Sequence, residues 1–229
     1  MKTGFQKIFD EVAPTYERVN RVLTLGLDGR WRKKAARAAA ESGGGLWLDV
    51  CSGTGDMAQN LARIAPPGTC VVALDFSPAM LQKASEKPKA QAAFVRADVK
   101  SLPFPSDRFD LVTISFATRN VNLSRDLLHS TFRELRRVLK PGGRFVNLET
   151  SQPRSAVVRK VFHLYVRAIV EPVGHRLSGS RSGYAYLAST IPRFYDAEEL
   201  SGLLKQAGFR TVGYRPLFFG AAAIHTAIK

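Results

Sequence analysis

Cysteine is nearly absent. Cys51 and Cys70 are the two thiols in 229 residues, and no Cys-x-x-Cys pair exists to seed a zinc site or a redox motif. A disulfide framework and a cysteine-ligated metal are therefore excluded as the basis of the fold, and a reducing compartment with no bound metal is the default. Long apolar runs are missing as well. No stretch approaches the roughly 20 residues that cross a bilayer, and the N-terminus lacks the basic-then-apolar pattern of a secretory leader, so the chain is expected in the cytoplasm. Acidic residues are the third scarcity: 19 Asp and Glu stand against 34 Lys and Arg, a net charge of +15. That balance draws nucleic acid, anionic lipid or acidic substrates. The shortage is sharpest between residues 151 and 195, where Glu171 is the only acid against Arg154, Arg159, Lys160, Arg167, Arg176, Arg181 and Arg193.

What is present is ordinary in bulk and informative in one place. The length suits one sizeable domain, and there is no internal repeat or low-complexity segment. The run Leu46-Trp47-Leu48-Asp49-Val50-Cys51-Ser52-Gly53-Thr54-Gly55-Asp56-Met57-Ala58 joins a short apolar strand pattern to a helical one through a Gly-x-Gly turn. Such a junction brings backbone close to a nucleotide, because glycine lacks the Cβ that would hold the ligand away. Gly53, Gly55 and Ala58 also satisfy a relaxed dinucleotide fingerprint, so spacing alone admits NAD or FAD. The flanking Asp49 and Asp56 lean the other way, since carboxylates at a helix N-terminus repel a pyrophosphate. They favour a ligand with cationic groups, and S-adenosylmethionine, with its sulfonium, its ammonium and no phosphate, fits.

Along the chain, helical spacing from residue 5 to about 40 breaks near residues 25–29. After the glycine loop come a helix over 57–64, a buried strand over 70–75, a helix opened by Ser77-Pro78, and a strand over 93–97. A strand over 109–116, a helix over about 123–139, a stop and turn at 140–143 and a strand over 144–149 follow. This alternation points to a parallel sheet covered on both faces. Residues 157–170 carry a broad apolar stripe that ordinarily packs into a core, and 178–183 reads as a mobile connection. A helix over 197–206 precedes strands over about 209–215 and 221–228, whose short link requires an antiparallel pair.

In an open α/β sheet the ligand lies across the C-terminal ends of the strands. Asp75 falls there, about 20 residues past the loop, a spacing that suits both hydroxyls of a ribose. Asp98 ends the next strand, where it could accept from an adenine amino group, and Ser115 ends the one after.

Several segments together resemble one family. They are the 49–58 loop, Asp75-Phe76-Ser77, Leu102-Pro103-Phe104, Phe109-Asp110, Arg119-Asn120-Val121 and the run from Arg137 to Gly143 with Glu149 and Ser151. With the opening Phe9-Asp10, Tyr16, Asn20, Gly26 and Trp31 and the closing Tyr184 to Leu187, Ala207-Gly208-Phe209 and 220–229, they look like the ubiquinone/menaquinone biosynthesis C-methyltransferases. The resemblance implies a Rossmann-like, doubly wound seven-stranded methyltransferase sheet with an antiparallel last strand. It implies a single domain over 1–229, divided into N-terminal helices (1–45), a donor-binding core (46–150), a basic helical segment over the acceptor site (151–195) and a C-terminal helix and strand pair (196–229). S-adenosylmethionine would be the donor, with Asp49, Gly53, Thr54, Gly55, Asp75, Phe76, Asp98, Val99 and Ser115 around it. The acceptor would be a polyprenylated benzoquinol or naphthoquinol, methylated on a ring carbon. Arg119 is the candidate for holding a phenolate, with Asn120 beside it and Tyr16 in the pocket wall; Asn20, Asp28, His163 and His175 are weaker candidates.

The chain departs from the family where an acceptor would bind: Tyr16-Glu17, Val19, Asp28 and Ala117-Thr118 replace the usual residues, and Cys51-Ser52 replaces small ones. A relative acting on another small-molecule or lipid acceptor is therefore the first alternative. An RNA-binding methyltransferase is the second, although no added binding domain or aromatic base-stacking run is present and no nucleic-acid partner is expected. The basic segment is expected to touch an anionic membrane face peripherally.

Overall fold

The computed structural model describes residues 10–87 and 92–229. The expected N-terminal helices are α1 (Tyr16–Leu23) and α2 (Leu27–Ala40), with residues 5–9 of that expectation outside the described residues. The break falls at Leu25 and Gly26, at φ of 51° and 75°. Glycine enters that region freely, whereas leucine does so only under constraint.

Seven strands, β1 (Leu46–Val50), β2 (Cys70–Asp75), β3 (Ala93–Arg96), β4 (Phe109–Ser115), β5 (Leu139–Thr150), β6 (Arg210–Leu217) and β7 (Ala222–Ile228), form one sheet in the order β3-β2-β1-β4-β5-β7-β6. The first five run parallel, and β7 is antiparallel to both β5 and β6. Helices α3 (Asp56–Ile64), α4 (Pro78–Ser85), α5 (Thr118–Val121), α6 (Arg125–Val138) and α10 (Ala197–Gln206) are interleaved with the strands. Both faces are buried, as parallel strands require. Successive residues of β1 go to opposite sides: Leu48 and Val50 join Phe132 and Leu135 of α6 and Leu204 of α10, while Trp47 joins Ala35, Ala36 and Ala39 of α2 and Met57 of α3. The alanine face of α2 lets that helix approach the indole closely.

The strand order reverses at β1, so the crevice opens between the C-terminal ends of β1 and β4. Ser77 caps α4 by accepting from the Met80 amide at 3.3 Å, and Ser124 caps α6 by accepting from Leu127 at 3.2 Å. A second tier of helices, α7 (Ala156–Tyr165), a π-helical turn (Val166–Val170), α8 (Glu171–Ser178) and α9 (Arg181–Thr190), covers this crevice together with α1.

Three expectations are corrected. The turn at 140–143 does not separate helix from strand: Leu139 already pairs with Phe109 and Arg144 with Leu111, so Lys140–Gly143 bulges out of a continuous β5, where Lys140 Nζ bonds both oxygens of Asp110 at 2.8 and 2.9 Å. The 178–183 segment is not an irregular connection: α8 runs to Ser178, Ser180 accepts from the Gly183 amide at 3.4 Å, and α9 starts at Arg181. The apolar stripe of 157–170 is only partly core. Val166 and Val170 are buried, but no residue of α7 is, and Val157, Val161 and Leu164 are 63–72% exposed.

Candidate active site

The glycine loop is shaped by its backbone. Cys51, Gly53 and Gly55 all take positive φ (51°, 54°, 81°). At Gly55 a Cβ would lie 2.9 Å from that of Ala84, so α4 could not pack there; at Gly53 a Cβ would meet nothing within 4 Å, because the loop faces open space. Asp75 is the partner of this loop. Its two carboxylate oxygens accept from the Gly53 amide at 2.8 Å and the Ser77 amide at 2.9 Å. Burial raises its pKa above the usual carboxylate range, against the pull of the Ser77, Gly53 and Phe76 amides. Each oxygen retains acceptor capacity beyond its amide.

The structure gathers Gly53, Thr54, Gly55, Asp75 and the half-buried Phe76 around one loop, and puts Ser115 at the end of β4. Asp98 is on the neighbouring strand end but exposed. It accepts from the Lys100 amide at 3.0 Å, and Val99 beside it is buried.

The argument from acidic flanks is corrected. Asp49 is fully buried and bonded sideways to the Thr113 hydroxyl at 2.7 Å; burial pushes its pKa up to about 7, so it holds a weaker claim to charge than a surface carboxylate. Asp56 is ion-paired to Lys87, whose ammonium also holds Glu17 of α1 at 2.6 Å. Neither acid offers a free negative charge to the loop.

The other end of the crevice is a largely apolar cavity of about 520 Å³, roofed by α1, α7, the π-helical turn and α9. Arg119 stands in its wall, 5% exposed. Its amide donates to Glu149 Oε2 at 3.1 Å, and its Nη1 donates to the Thr190 hydroxyl at 3.0 Å. Glu149 is fully buried and takes the Thr150 amide and hydroxyl at 2.7 and 2.9 Å. A strand residue thus anchors the short helix α5 from below. Asn120 lines the same cavity, as do Tyr16 and Asn20. Burial raises the Tyr16 phenol, opposed by the Arg32 charge, the Asn20 side chain and the Arg119 charge. The three expected acceptor-side residues are therefore assembled in one place. His163 bonds Gln152 at 2.7 Å and His175 is exposed, and neither lines the cavity.

Arg32 was not anticipated. Its Nη1 bonds Asp28 Oδ2 at 2.6 Å in a pair almost wholly buried, its guanidinium lies 5.1 Å from the centre of the Phe116 ring, and it reaches to 3.9 Å from Asp56. It therefore links the cavity to the first turn of α3. The Asp28-x-x-x-Arg32 spacing was the available signal, masked by the many arginines and lysines around it. Glu149 was noticed as part of a motif but not as the anchor of Arg119.

Comparison with known proteins gives a consistent result. The pattern that defines the ubiE/COQ5 methyltransferase family matches residues 2–229. The chain is 39% identical over 228 residues to the ubiquinone/menaquinone biosynthesis C-methyltransferase UbiE of Geobacter sulfurreducens, covering 97% of this chain and 87% of that protein. It is 40% identical over 221 residues to the demethylmenaquinone methyltransferase of Thermus thermophilus, covering 95% and 98%. Among solved structures it is similar to an S-adenosylmethionine-dependent methyltransferase of Thermotoga maritima, with TM-score 0.65 and 19% identity over 97% of this chain and 99% of that one. Human N-acetylserotonin methyltransferase in complex with S-adenosylmethionine gives TM-score 0.63 and 18% identity over 94% and 57%. At those identities the structural likeness speaks for the fold.

Proposed function

The chain belongs to the ubiE/COQ5 methyltransferase family, and on that premise we propose that it transfers a methyl group from S-adenosylmethionine to a ring carbon of a polyprenylated quinol. The observation that carries the proposal is the pairing of a glycine-loop cradle with a large apolar cavity whose polar side chains include Tyr16, Asn20, Asp28, Arg32, Arg119 and Asn120. The donor fits the cradle. Asp75 has acceptor capacity for two ribose hydroxyls, the Gly53 side of the loop is open, and the Ser52 hydroxyl is buried without a partner among the described residues. When bound, the donor supplies an electrophilic methyl group on a cationic sulfur.

The chain's own residues do the rest. A quinol ring carbon becomes nucleophilic when a ring hydroxyl loses its proton to solvent, and once that carbon carries the methyl group it gives up its own proton, again to water, which restores the aromatic ring; Arg119, in the cavity wall, would hold the oxyanion meanwhile. Asn120 Oδ1, an acceptor, would take the hydrogen bond of that hydroxyl before its proton leaves. The apolar walls align the ring and exclude competing solvent. A benzoquinol and a naphthoquinol both suit a cavity of this size.

We infer also that the cavity mouth meets an anionic membrane. Leu25, Val161 and Phe219 line the cavity and are 86%, 63% and 80% exposed, while Arg159, Lys160 and Arg167 are exposed on α7 and the π-helical turn that carry Val161 and the lining residue Val166. Apolar side chains rimmed by cations favour an interfacial position on negatively charged lipid. No helix among the described residues is long and apolar enough to cross a membrane. Co-sedimentation with anionic but not neutral vesicles at modest salt supports this contact, and equal binding to both counts against it.

The reaction is tested by incubating the protein with S-adenosylmethionine and either a short-tailed demethylmenaquinol or a demethylated benzoquinol precursor, with the product read by mass spectrometry. Methylation on a ring carbon of one of them is the expected result. Methylation of RNA with neither quinol consumed would overturn the proposal.

A further inference from the structure

Three residues that line the cavity each carry a polar atom that is closed off from solvent and lacks a hydrogen-bond partner among the described residues: Arg119 Nε, Asn120 Oδ1 and Tyr184 Oη. Such atoms are costly unless something satisfies them, so three in one wall point to a ligand that brings the partners. Arg119 and Asn120 are adjacent on α5, and because Nε is a donor and Oδ1 an acceptor the pair suits one ring hydroxyl that accepts from the first and donates to the second. Tyr184 comes from α9, where its ring packs with Tyr16 of α1 and Met80 of α4.

Gly174 on α8 explains how that ring is held. A Cβ at Gly174 would lie 2.2 Å from Tyr184 Cδ1 and 2.3 Å from Cγ, so any side chain there would displace the ring. Its φ is not positive, so the glycine is needed for the space it leaves rather than for its backbone. A ring seated in this way has a fixed hydroxyl direction, which is what a binding group requires. Burial, with Tyr16 nearby, pushes the Tyr184 phenol well above its ordinary range, so it keeps its proton and donates rather than acting as a base.

We propose that Tyr184, seated against Gly174, forms a second oxygen subsite in the acceptor cavity, donating its hydroxyl hydrogen to the ring oxygen that Arg119 and Asn120 do not hold. The ligand class is a ring diol with two separate oxygens. This rests on the quinol assignment, and it adds a specificity determinant: a diol satisfies both subsites, whereas a ring lacking one oxygen leaves one of them unpaired.

The test is binding of a short-tailed 1,4-naphthoquinol and its two mono-deoxy analogues, each lacking one ring oxygen, measured under reducing conditions with S-adenosylhomocysteine present. Wild type is expected to bind the diol about tenfold more tightly than either mono-ol. Tyr184→Phe keeps the ring and removes one oxygen. It should bind the diol about tenfold more weakly, lose discrimination against one mono-ol and keep it against the other, with a melting temperature unchanged or raised and unchanged S-adenosylhomocysteine affinity. Gly174→Ala should weaken diol binding in the same direction by moving the ring. Equal diol affinity in wild type and Tyr184→Phe would overturn the subsite while leaving the quinol assignment standing. Failure of the wild type to bind the diol at all would overturn both.

Discussion

At the donor end of the crevice Asp75 is held by two backbone amides, those of Gly53 and Ser77. At the acceptor end Arg119 reaches a side-chain hydroxyl of Thr190, 71 residues away, and Asp28 is held by Arg32 and Thr24. One end is built from chain geometry and the other from side chains brought together by distant segments. Backbone donors survive most substitutions, so the donor end can stay constant while the acceptor end changes its chemistry one side chain at a time. Of the departures read from the sequence, those at Glu17, Val19, Asp28 and Ala117-Thr118 lie on α1, on α2 and at the entry to α5, while Cys51-Ser52 lies in the glycine loop itself.

That contrast can be broken or sharpened by substitution. The largest effect is expected from Asp28→Ala. It leaves the Arg32 guanidinium buried without its carboxylate, a loss of about 3–5 kcal/mol, read as a lowered denaturation midpoint, and Asp28→Ala with Arg32→Met should recover much of it. Next, Arg119→Ala should lower turnover roughly a hundredfold while S-adenosylhomocysteine affinity stays within about twofold. Single-turnover rates and calorimetric titration separate the two quantities, and a matching loss of donor affinity would show that the ends are not independent. Asp75→Ala should weaken donor binding at least tenfold and leave naphthoquinol binding unchanged; unaltered donor affinity would remove Asp75 from the donor site.

The last effect concerns pH. Asp49 has a folded-state pKa of about 7 against an ordinary 3.8. The folded protein therefore holds this proton where the unfolded chain has lost it, and Asp49 lowers stability progressively as pH rises between those values. Asp49→Asn, which can still accept from Thr113, removes that decline. Denaturant midpoints at pH 4.5 and 7 should then show wild type losing more stability, or gaining less, than the variant over the interval.

The two ends also differ in how far the sequence announces them. The strand Cys70–Asp75 was read with its observed bounds, and the Gly53–Gly55 turn with its Asp75 partner was legible, because short local patterns determine them. The antiparallel closing pair followed from a connection too short for any other pairing. The acceptor end was legible as a list of residues, Tyr16, Arg119 and Asn120, but not as a cavity, since α1, α5 and α9 meet only through tertiary packing. Arg32 looked like one surface arginine among many, and Tyr184 carried no spacing signal. The stripe on α7 misled in the opposite direction: apolar periodicity normally marks a core face, and here it marks an exposed rim. Asp49 and Asp56 pointed to the donor for a reason the structure does not bear out, because one is buried and the other is paired with Lys87.

The most direct test of the acceptor assignment is photo-cross-linking with a short-tailed naphthoquinol carrying a diazirine on its tail. It is run with S-adenosylhomocysteine present, and the labelled peptides are mapped by mass spectrometry. The expected result is labelling confined to peptides around Val158 and Val161 of α7 and around Phe218 and Phe219, suppressed by the unlabelled quinol. Labelling concentrated at the Asp98 loop, or spread over the surface without competition, would contradict the cavity as the acceptor site.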